Sequence, residues 1–400
     1  MKVIYDIIII GSGISALYTA LKIMLKYSFK NIIIIEKNKK QLLGGRAGND
    51  IFHNTQIVTG AGIGRGAKDK LLIEWLNELG IQHKEYKSVV SYAKTFQKVD
   101  ILKIIEELKK YKDIQGTFKD FFISKLGKEL YKEFCISAGY TDYENGDAYD
   151  TIYNYGMDDN VGGWTGVSIP WKKLVETAYN KIGKDKFKFN TEVLEIKKSV
   201  LHNELFEIRT NKGIFYCKKI IIATNISSVR KLLPNKIYKQ IHGQPFLRIY
   251  CKFDKTSSII MKRYVNSYTV VPNILQKIIP IRPNKGIYMV AYSDNKNAIK
   301  LHNYLINNKD VKEIICKLVE KGLGIIEDLT IIDIKYFFWP LGTHYYEPLN
   351  DYKTRKEFIN IAQHPDPNIL VIGELISQKQ GWTEGALEST KVVTEKWLTK

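Results

Sequence analysis

The sequence predicts a doubly wound α/β fold assembled from separated segments, with an inserted α+β domain. Three observations predict it. Val3–Ile10 (VIYDIIII) is an apolar run of strand length that stops at Gly11, and a helical pattern and a second apolar run, Asn31–Ile35, follow. Lys219–Ala223 (KIIIA) and Ile369–Ile372 (ILVI) return to the same style far along the chain. Unbroken apolar runs of this kind suit parallel strands buried on both faces, since alternation is expected only where one face meets water. The segments between them read as helices and mixed sheet, which gives the order sheet, insert, sheet, insert, sheet.

Along the chain, Ile14–Lys26 sets Ile14, Leu17, Leu21 and Met24 on one side at helical period. Lys70–Leu79, Val99–Tyr111 and Phe118–Ala138 read as helices of an insert. Trp164 and Trp171 flank a Gly/Ser/Pro stretch at the start of another helix, with Ser168 or Thr165 as its cap. Phe187–Val193, Phe206–Arg209 and Gly213–Cys217 read as strands that lead into Lys219–Ala223. Phe246–Phe253, Tyr288–Ser293 and Ile331–Phe338 supply a second sheet, Val311–Lys321 a helix beside it, and Gly385–Trp397 a closing helix. The expected division is residues 1–70, 186–235 and 365–400 for the first domain, with 71–185 and 236–364 forming the second.

A chain of 400 residues suits two or three domains. With 44% hydrophobic and 26% charged residues it excludes a mostly disordered protein. No apolar run reaches the roughly 18 residues of a membrane span. Met1–Ile10 lacks a small-residue cleavage site and Thr394–Lys400 is mostly polar, so neither a secretory leader nor a tail anchor is expected. Cys135, Cys217, Cys251 and Cys316 are far apart, which points to a reducing, cytoplasmic compartment rather than a stapled secreted domain. Neither they nor the histidines show metal-ligand spacing, so no metal is expected. The net charge of +19 admits an acidic partner such as nucleic acid. The lysines are scattered, however, and the crowding of Lys, Asn, Ile and Tyr fits a coding bias.

Gly11-Ser12-Gly13-Ile14-Ser15-Ala16 fits G-x-G-x-x-A in the context that gives the motif meaning, after a strand and opening a helix. Gly11 permits the tight turn, Gly13 lets the backbone approach a pyrophosphate, and Ala16 allows close helix–strand packing in a Rossmann-like unit. The helix start, at Ile14 and Ser15, aims N–H groups at the phosphates. Glu36, beside Lys37 at the end of the second strand, is placed for ribose hydroxyls and disfavours a 2′-phosphate. Gly44-Gly45-Arg46 lies a few residues on, where Arg46 can pair a phosphate oxygen. A second glycine-rich stretch, Gly60-Ala61-Gly62-Ile63, would let main chain press against a flat ring.

These features resemble the flavin-containing amine oxidase family (monoamine and polyamine oxidases). The C-terminus adds Gly373-Glu374 and then Gly381-Trp382-Thr383-Glu384-Gly385-Ala386. The resemblance implies a glutathione-reductase-like FAD-binding domain and an inserted substrate domain. It also implies that Glu374 holds the ribityl chain and that Trp382, Thr383 and Ala386 lie at the flavin. Val193, after Thr191-Glu192, matches the segment that touches adenine, and Ala223-Thr224 the end of the returning strand. The Lys/Asn/Ile-rich composition and the phrase Trp339–Tyr346 also resemble homologues encoded by large DNA viruses, for which a virion location is a further expectation.

By the same resemblance, FAD accepts hydride at N5 from the substrate's amine-bearing carbon, the imine hydrolyses, and O2 reoxidises the flavin. Two aromatic rings flank the amine: Trp382 matches one, and His344 or Tyr345 the other. Thr343 stands where some members carry a Cys bound to the flavin, so noncovalent FAD is expected. Arg248 stands at or beside a lysine that many members bridge through water to the flavin. Arginine stays charged and is no tunable base, but it suits an anionic substrate group such as a carboxylate. The acidic loop Asp142–Asp147 reads as solvated or as a mouth for cations, and the +19 charge works against steering polycations from afar. Two alternatives stay open. A related flavin oxidase or desaturase of C–C bonds would show an apolar tunnel. A flavin-bearing structural or nucleic-acid-associated protein would show a lysine patch and a blocked pocket.

Overall fold

The computed structural model describes residues 3–27, 31–200 and 204–398. The expectations for the chain ends extend to Met1, Lys2, Thr399 and Lys400, which lie outside them. Strand Ile4–Ile10 pairs in parallel with Ile32–Ile35 on one side and with Gly213–Ile222 on the other. Ile32–Ile35 passes the parallel order on to Phe187–Lys188, and Gly213–Ile222 to Ile369–Val371. Val193–Lys198 and Phe206–Thr210 extend this seven-stranded sheet with antiparallel pairs.

The all-apolar strands have a direct physical cause. Ile7, Ile9, Ile32, Ile34, Ile221 and Leu370 pack on one face with helices Ile14–Lys26, Trp171–Ile182 and Thr383–Trp397. Ile8, Ile10, Ile33, Ile35, Ile222 and Val371 pack on the other with Ile226–Leu232 and Arg355–Gln363. Helices therefore cover both faces, and the strand centres Ile7–Ile10, Ile32–Ile35 and Ile220–Ile222 are buried throughout. The second sheet runs Ile331–Tyr346, Ile241–Phe253, Ile287–Asp294, Lys277–Arg282, Tyr268–Val270 and Val90–Tyr92. It is antiparallel except where Tyr268–Val270 meets Val90–Tyr92. A helical cluster around Phe118, Phe122, Phe134 and Tyr143 forms a separate core. No helix among the described residues is long and apolar enough to cross a membrane.

The structure differs from the sequence expectation in several elements. Phe118–Ala138 is two helices, Phe118–Leu126 and Lys128–Ala138, because Gly127 at φ +87° takes a conformation that breaks the helical ladder. Gly213–Cys217 and Lys219–Ala223 are one strand, Gly213–Ile222. The lysines between them do not interrupt it: Lys218 reaches Asp6, and Lys219 lies over the Trp397 ring. Phe187–Val193 is split by Asn190 at φ +52°, so that only Phe187–Lys188 is strand before Val193–Lys198 begins. Helix Trp171–Ile182 starts after Pro170 with no side-chain cap, and Thr165–Ser168 forms a strand instead. The loop Asp142–Asp147 is not a plain solvated loop: Asp142 and Tyr143 are buried, Asp142 lines a cleft, and Asp147 caps helix Ala148–Asn154.

Ile221 lies at the middle of the parallel sheet opposite Ile9 and is wholly buried. Ile221→Ala is expected to lower unfolding stability by about 2–5 kcal/mol. Urea denaturation should show an earlier midpoint with an unchanged slope.

Candidate active site

A cleft of about 330 Å³ opens along the C-terminal ends of the parallel strands, where Ile10, Ile35, Ala223 and Gly373 line it. Open α/β sheets bind ligands at this edge. Gly11 turns the chain there at φ +101°, and a Cβ on it would stand 2.5 Å from the Ala223 carbonyl oxygen. The turn is therefore reserved for glycine. Helix Ile14–Lys26 begins at Gly13 with no side-chain cap and no acidic residue in its first turn. Its first N–H groups have no intrahelical partner and face the cleft, which suits a pyrophosphate.

Glu36 fixes the second landmark. One carboxylate oxygen accepts from the Ser12 N–H at 2.9 Å and the Ser12 hydroxyl at 2.8 Å. The other accepts from the Asn38 N–H at 2.8 Å. The buried carboxylate thus ties the glycine turn to the end of the second strand, at the edge of the cleft. Of the residues expected at the cofactor, Ala16 lies in the core, and Gly62 and Ile63 line a neighbouring cleft; the others line this one. Ser12, Asn38, Ser228 and Lys231 line it too. Only their places beside the glycine turn, the acidic residue and the Ala-Thr strand end signal them in sequence.

Glu374 closes the far end. Its Oε1 accepts from the N–H groups of His344 at 2.9 Å and Gly381 at 2.7 Å. Its Oε2 accepts from His344 Nδ1 at 2.6 Å and faces the Arg46 guanidinium at 3.3 Å. Burial opposes its ionisation, but His344, Arg46 and the Gly381 N–H together hold the carboxyl down at about 2. Arg46 also donates to the Gly342 carbonyl at 2.5 Å. The segment carrying Gly342 continues strand Ile331–Tyr346 instead of following it, as the sequence suggested. A register shift opposite Gln244–Phe246 bulges it at Pro340–Gly342 and turns Trp339, Leu341 and Thr343 into the cleft.

His344 and Tyr345 are placed elsewhere. His344 is buried, and the Ile226 N–H donates to its Nε2 at 3.3 Å, which leaves Nδ1 as the donor to Glu374. Tyr345 stacks on His242 at 5.3 Å and lines neither cleft. Trp382 does line the cleft, with its indole N–H donating to the buried Asp69 at 2.8 Å. Asp69 also takes the Arg65 guanidinium at 2.6 Å, and Arg65 lies over the Trp382 ring. Glu384, two residues on, accepts from the Leu71 and Leu72 N–H groups at 2.8 and 3.0 Å and so anchors the start of helix Lys70–Glu78.

The narrow cleft opens into a larger one of about 1840 Å³. Phe246, Arg248, Tyr292, Thr343, Gly381 and Trp382 line both. Tyr292, which pairs across strands with Arg248, went unnoticed in the sequence because nothing but strand register marks it. Arg248 is buried, with its guanidinium 4.0 Å from the Tyr292 ring centre and Nη1 3.6 Å from Met289 Sδ. Its Nη2 has no hydrogen-bond partner, and no carboxylate pairs with it among the described residues. A desolvated cation–π contact contributes about 2 kcal/mol, against a burial penalty of several kcal/mol for an ion. Tyr250 and Tyr140 add to the Tyr292 contact in favouring the charged form, but no carboxylate faces the guanidinium among the described residues.

The uncapped helix start, the glycine turn, the Glu36 end and the Arg46–Glu374 end fit an elongated dinucleotide, and the junction of the two clefts fits its reactive ring. A family model described as flavin containing amine oxidoreductase matches residues 71–393. A double mutant of putrescine oxidase, from a redesign of its cofactor binding, is similar over 100% of both chains at 14% identity and TM-score 0.77. Wild-type putrescine oxidase bound to putrescine is similar over 100% of both chains at 14% identity and TM-score 0.76. Cyclohexylamine oxidase from Brevibacterium oxydans IH-35A is similar over 100% of both chains at 14% identity and TM-score 0.75. No curated protein matches by sequence.

Two outcomes follow from this geometry. Gly11→Val should abolish FAD retention, measured as flavin absorbance per protein after gel filtration. Glu374 ionises well below its ordinary 4.5, at about 2, so its stabilisation is present above about 4.5 and is lost as pH falls toward 2. That loss is on the order of 3 kcal/mol. In acid titrations followed by circular dichroism, Glu374→Gln should be less stable than the parent at pH 6, with the gap closing toward pH 2.

Proposed function

The chain belongs to the flavin-containing amine oxidoreductase family and is an FAD-dependent oxidoreductase; on that premise we propose how its residues divide the work. The observation that carries the reading is the junction of the two clefts, lined from both sides by Phe246, Arg248, Tyr292, Thr343, Gly381 and Trp382. Residues 1–70, 186–235 and 365–400 hold FAD, and residues 71–185 and 236–364 supply the substrate cleft. Bound FAD supplies the two-electron acceptor for the C–H bond beside the amine nitrogen, and dioxygen takes the electrons onward.

The N–H groups at Ile14 and Ser15 hold the pyrophosphate, Glu36 the ribose, and Arg46 with the Glu374 node the ring end. The helix start at Thr383 places N–H groups at the ring, where they favour developing negative charge. Trp382, locked by Asp69, forms one aromatic wall for the amine, and Tyr292 with Phe246 forms the facing one. His344 acts on the site only by orienting Glu374. Thr343 offers no thiol, so FAD is held noncovalently. The substrate leaves as an imine, and water converts it to a carbonyl compound and ammonia or an amine. Each turnover consumes one dioxygen and yields one hydrogen peroxide. The larger cleft carries Tyr140, Asp142 and Arg248 as well as apolar groups. That mixed wall supports amine oxidation over desaturation of a hydrocarbon, which calls for an apolar tunnel.

A screen of amines with the purified holoenzyme tests this. Peroxide and carbonyl product should appear in equal amounts, and Trp382→Ala should lower kcat/KM about 10- to 100-fold while FAD stays bound. Acid precipitation should release all the FAD to the supernatant. No peroxide with any amine would contradict the assignment, and flavin retained in the pellet would contradict noncovalent binding.

A further inference from the structure

We propose that Arg248 is an anion subsite at the junction of the clefts, and that the preferred substrate carries a carboxylate close to the amine being oxidised. The proposal deepens the reading of the junction as the oxidation site and rests on it. Arg248 is 3% exposed, yet it lines both clefts and leaves Nη2 without a partner. A guanidinium cannot shed its charge, so burial does not neutralise it.

The neighbouring acids are committed elsewhere. Asp294 accepts from the Thr141 N–H and hydroxyl, the Asp142 N–H and Gln276 Nε2. Asp142 accepts from the Tyr155 hydroxyl at 2.5 Å, and burial together with Asp294 pushes its carboxyl up to about 7. The other basic group nearby, Lys277, is wholly buried among the rings of Tyr140, Tyr268 and Tyr292, and burial pushes its ammonium well below the usual lysine range, so Arg248 is the group there that must stay charged.

The guanidinium fork is therefore the one charged group of the junction still open to an anion among the described residues, and a carboxylate matches its geometry. It lines both clefts, as Trp382 and Gly381 do, and a place at that junction sets the anion near the reacting C–N bond. An amino acid meets both demands; a simple amine meets only one. A polyamine would bring a further cation against Arg248, which would repel it.

Binding can be read apart from turnover. The FAD-loaded protein is titrated with acetate, butyrate and phenylacetate, followed by flavin difference spectra and calorimetry. At least one should bind saturably, about 30-fold or more weakly in Arg248→Met, with partial recovery in Arg248→Lys. The parent protein alone gives a second arm: phenylalanine should reduce the flavin anaerobically faster than phenethylamine, its decarboxylated counterpart. Carboxylates that fail to bind, or bind Arg248→Met equally well, overturn the proposal, as does faster reduction by phenethylamine. In those cases reduction by any amine leaves amine oxidation standing. If carboxylates bind through Arg248 but no amine or amino acid reduces the flavin, the oxidation reading fails and the anion subsite survives.

Discussion

A single buried carboxylate, Glu374, holds the active region together. It takes hydrogen bonds from His344 in the second sheet and from the turn at Gly381, and an ion pair from Arg46 in the turn that follows strand Ile32–Ile35 of the first. Those partners are distant in sequence, so the carboxylate acts as a tie between the two sheets. A buried ion costs several kcal/mol unless its partners are in place. Here each oxygen has two, and the carboxyl is held at about 2. The bulge at Pro340–Gly342 and the helix start at Thr383 are consequently fixed on either side of one cleft. Asp69 repeats the device on a smaller scale, joining Arg65 and Trp382 beside the junction of the clefts.

Against this well-compensated node stands the wall carrying Arg248 and Lys277. Both are buried, neither has an ion-pair partner among the described residues, and both lie against tyrosine rings. The same chain that saturates Glu374 leaves both basic groups to aromatic faces; burial pushes the Lys277 ammonium well below the usual lysine range, whereas the Arg248 guanidinium keeps its charge. Such local imbalance of charge is what a polar ligand can relieve, which is why functional sites gather it.

Much of this was legible in the amino-acid order. Strand Ile4–Ile10, the turn at Gly11, helix Ile14–Lys26 and strand Ile32–Ile35 follow from period and glycine alone, because burial on both faces keeps Ile7–Ile10 and Ile32–Ile35 wholly apolar. The cleft residues near Gly11, Glu36, Gly44 and Glu374 followed from motif spacing and the family resemblance. Less legible were features set by long-range register. His344 and Trp339 belong to one strand, but only the bulge opposite Gln244–Phe246 decides which side chains enter the cleft. Tyr292 reaches the junction because it pairs with Arg248 across strands. The break at Gly127 lies within a continuous helical pattern, where periodicity cannot report one residue's φ.

In the proposed function, the dinucleotide cleft delivers a flavin ring to an amine at the junction near Trp382. Its most direct test is anaerobic titration of the FAD-loaded protein with a panel of amines and amino acids, followed in the visible flavin bands. The account predicts that at least one compound bleaches them fully at one equivalent per flavin, with colour restored by dioxygen. A flavin that stays oxidised with every amine, or a protein that neither retains nor rebinds FAD, would contradict it.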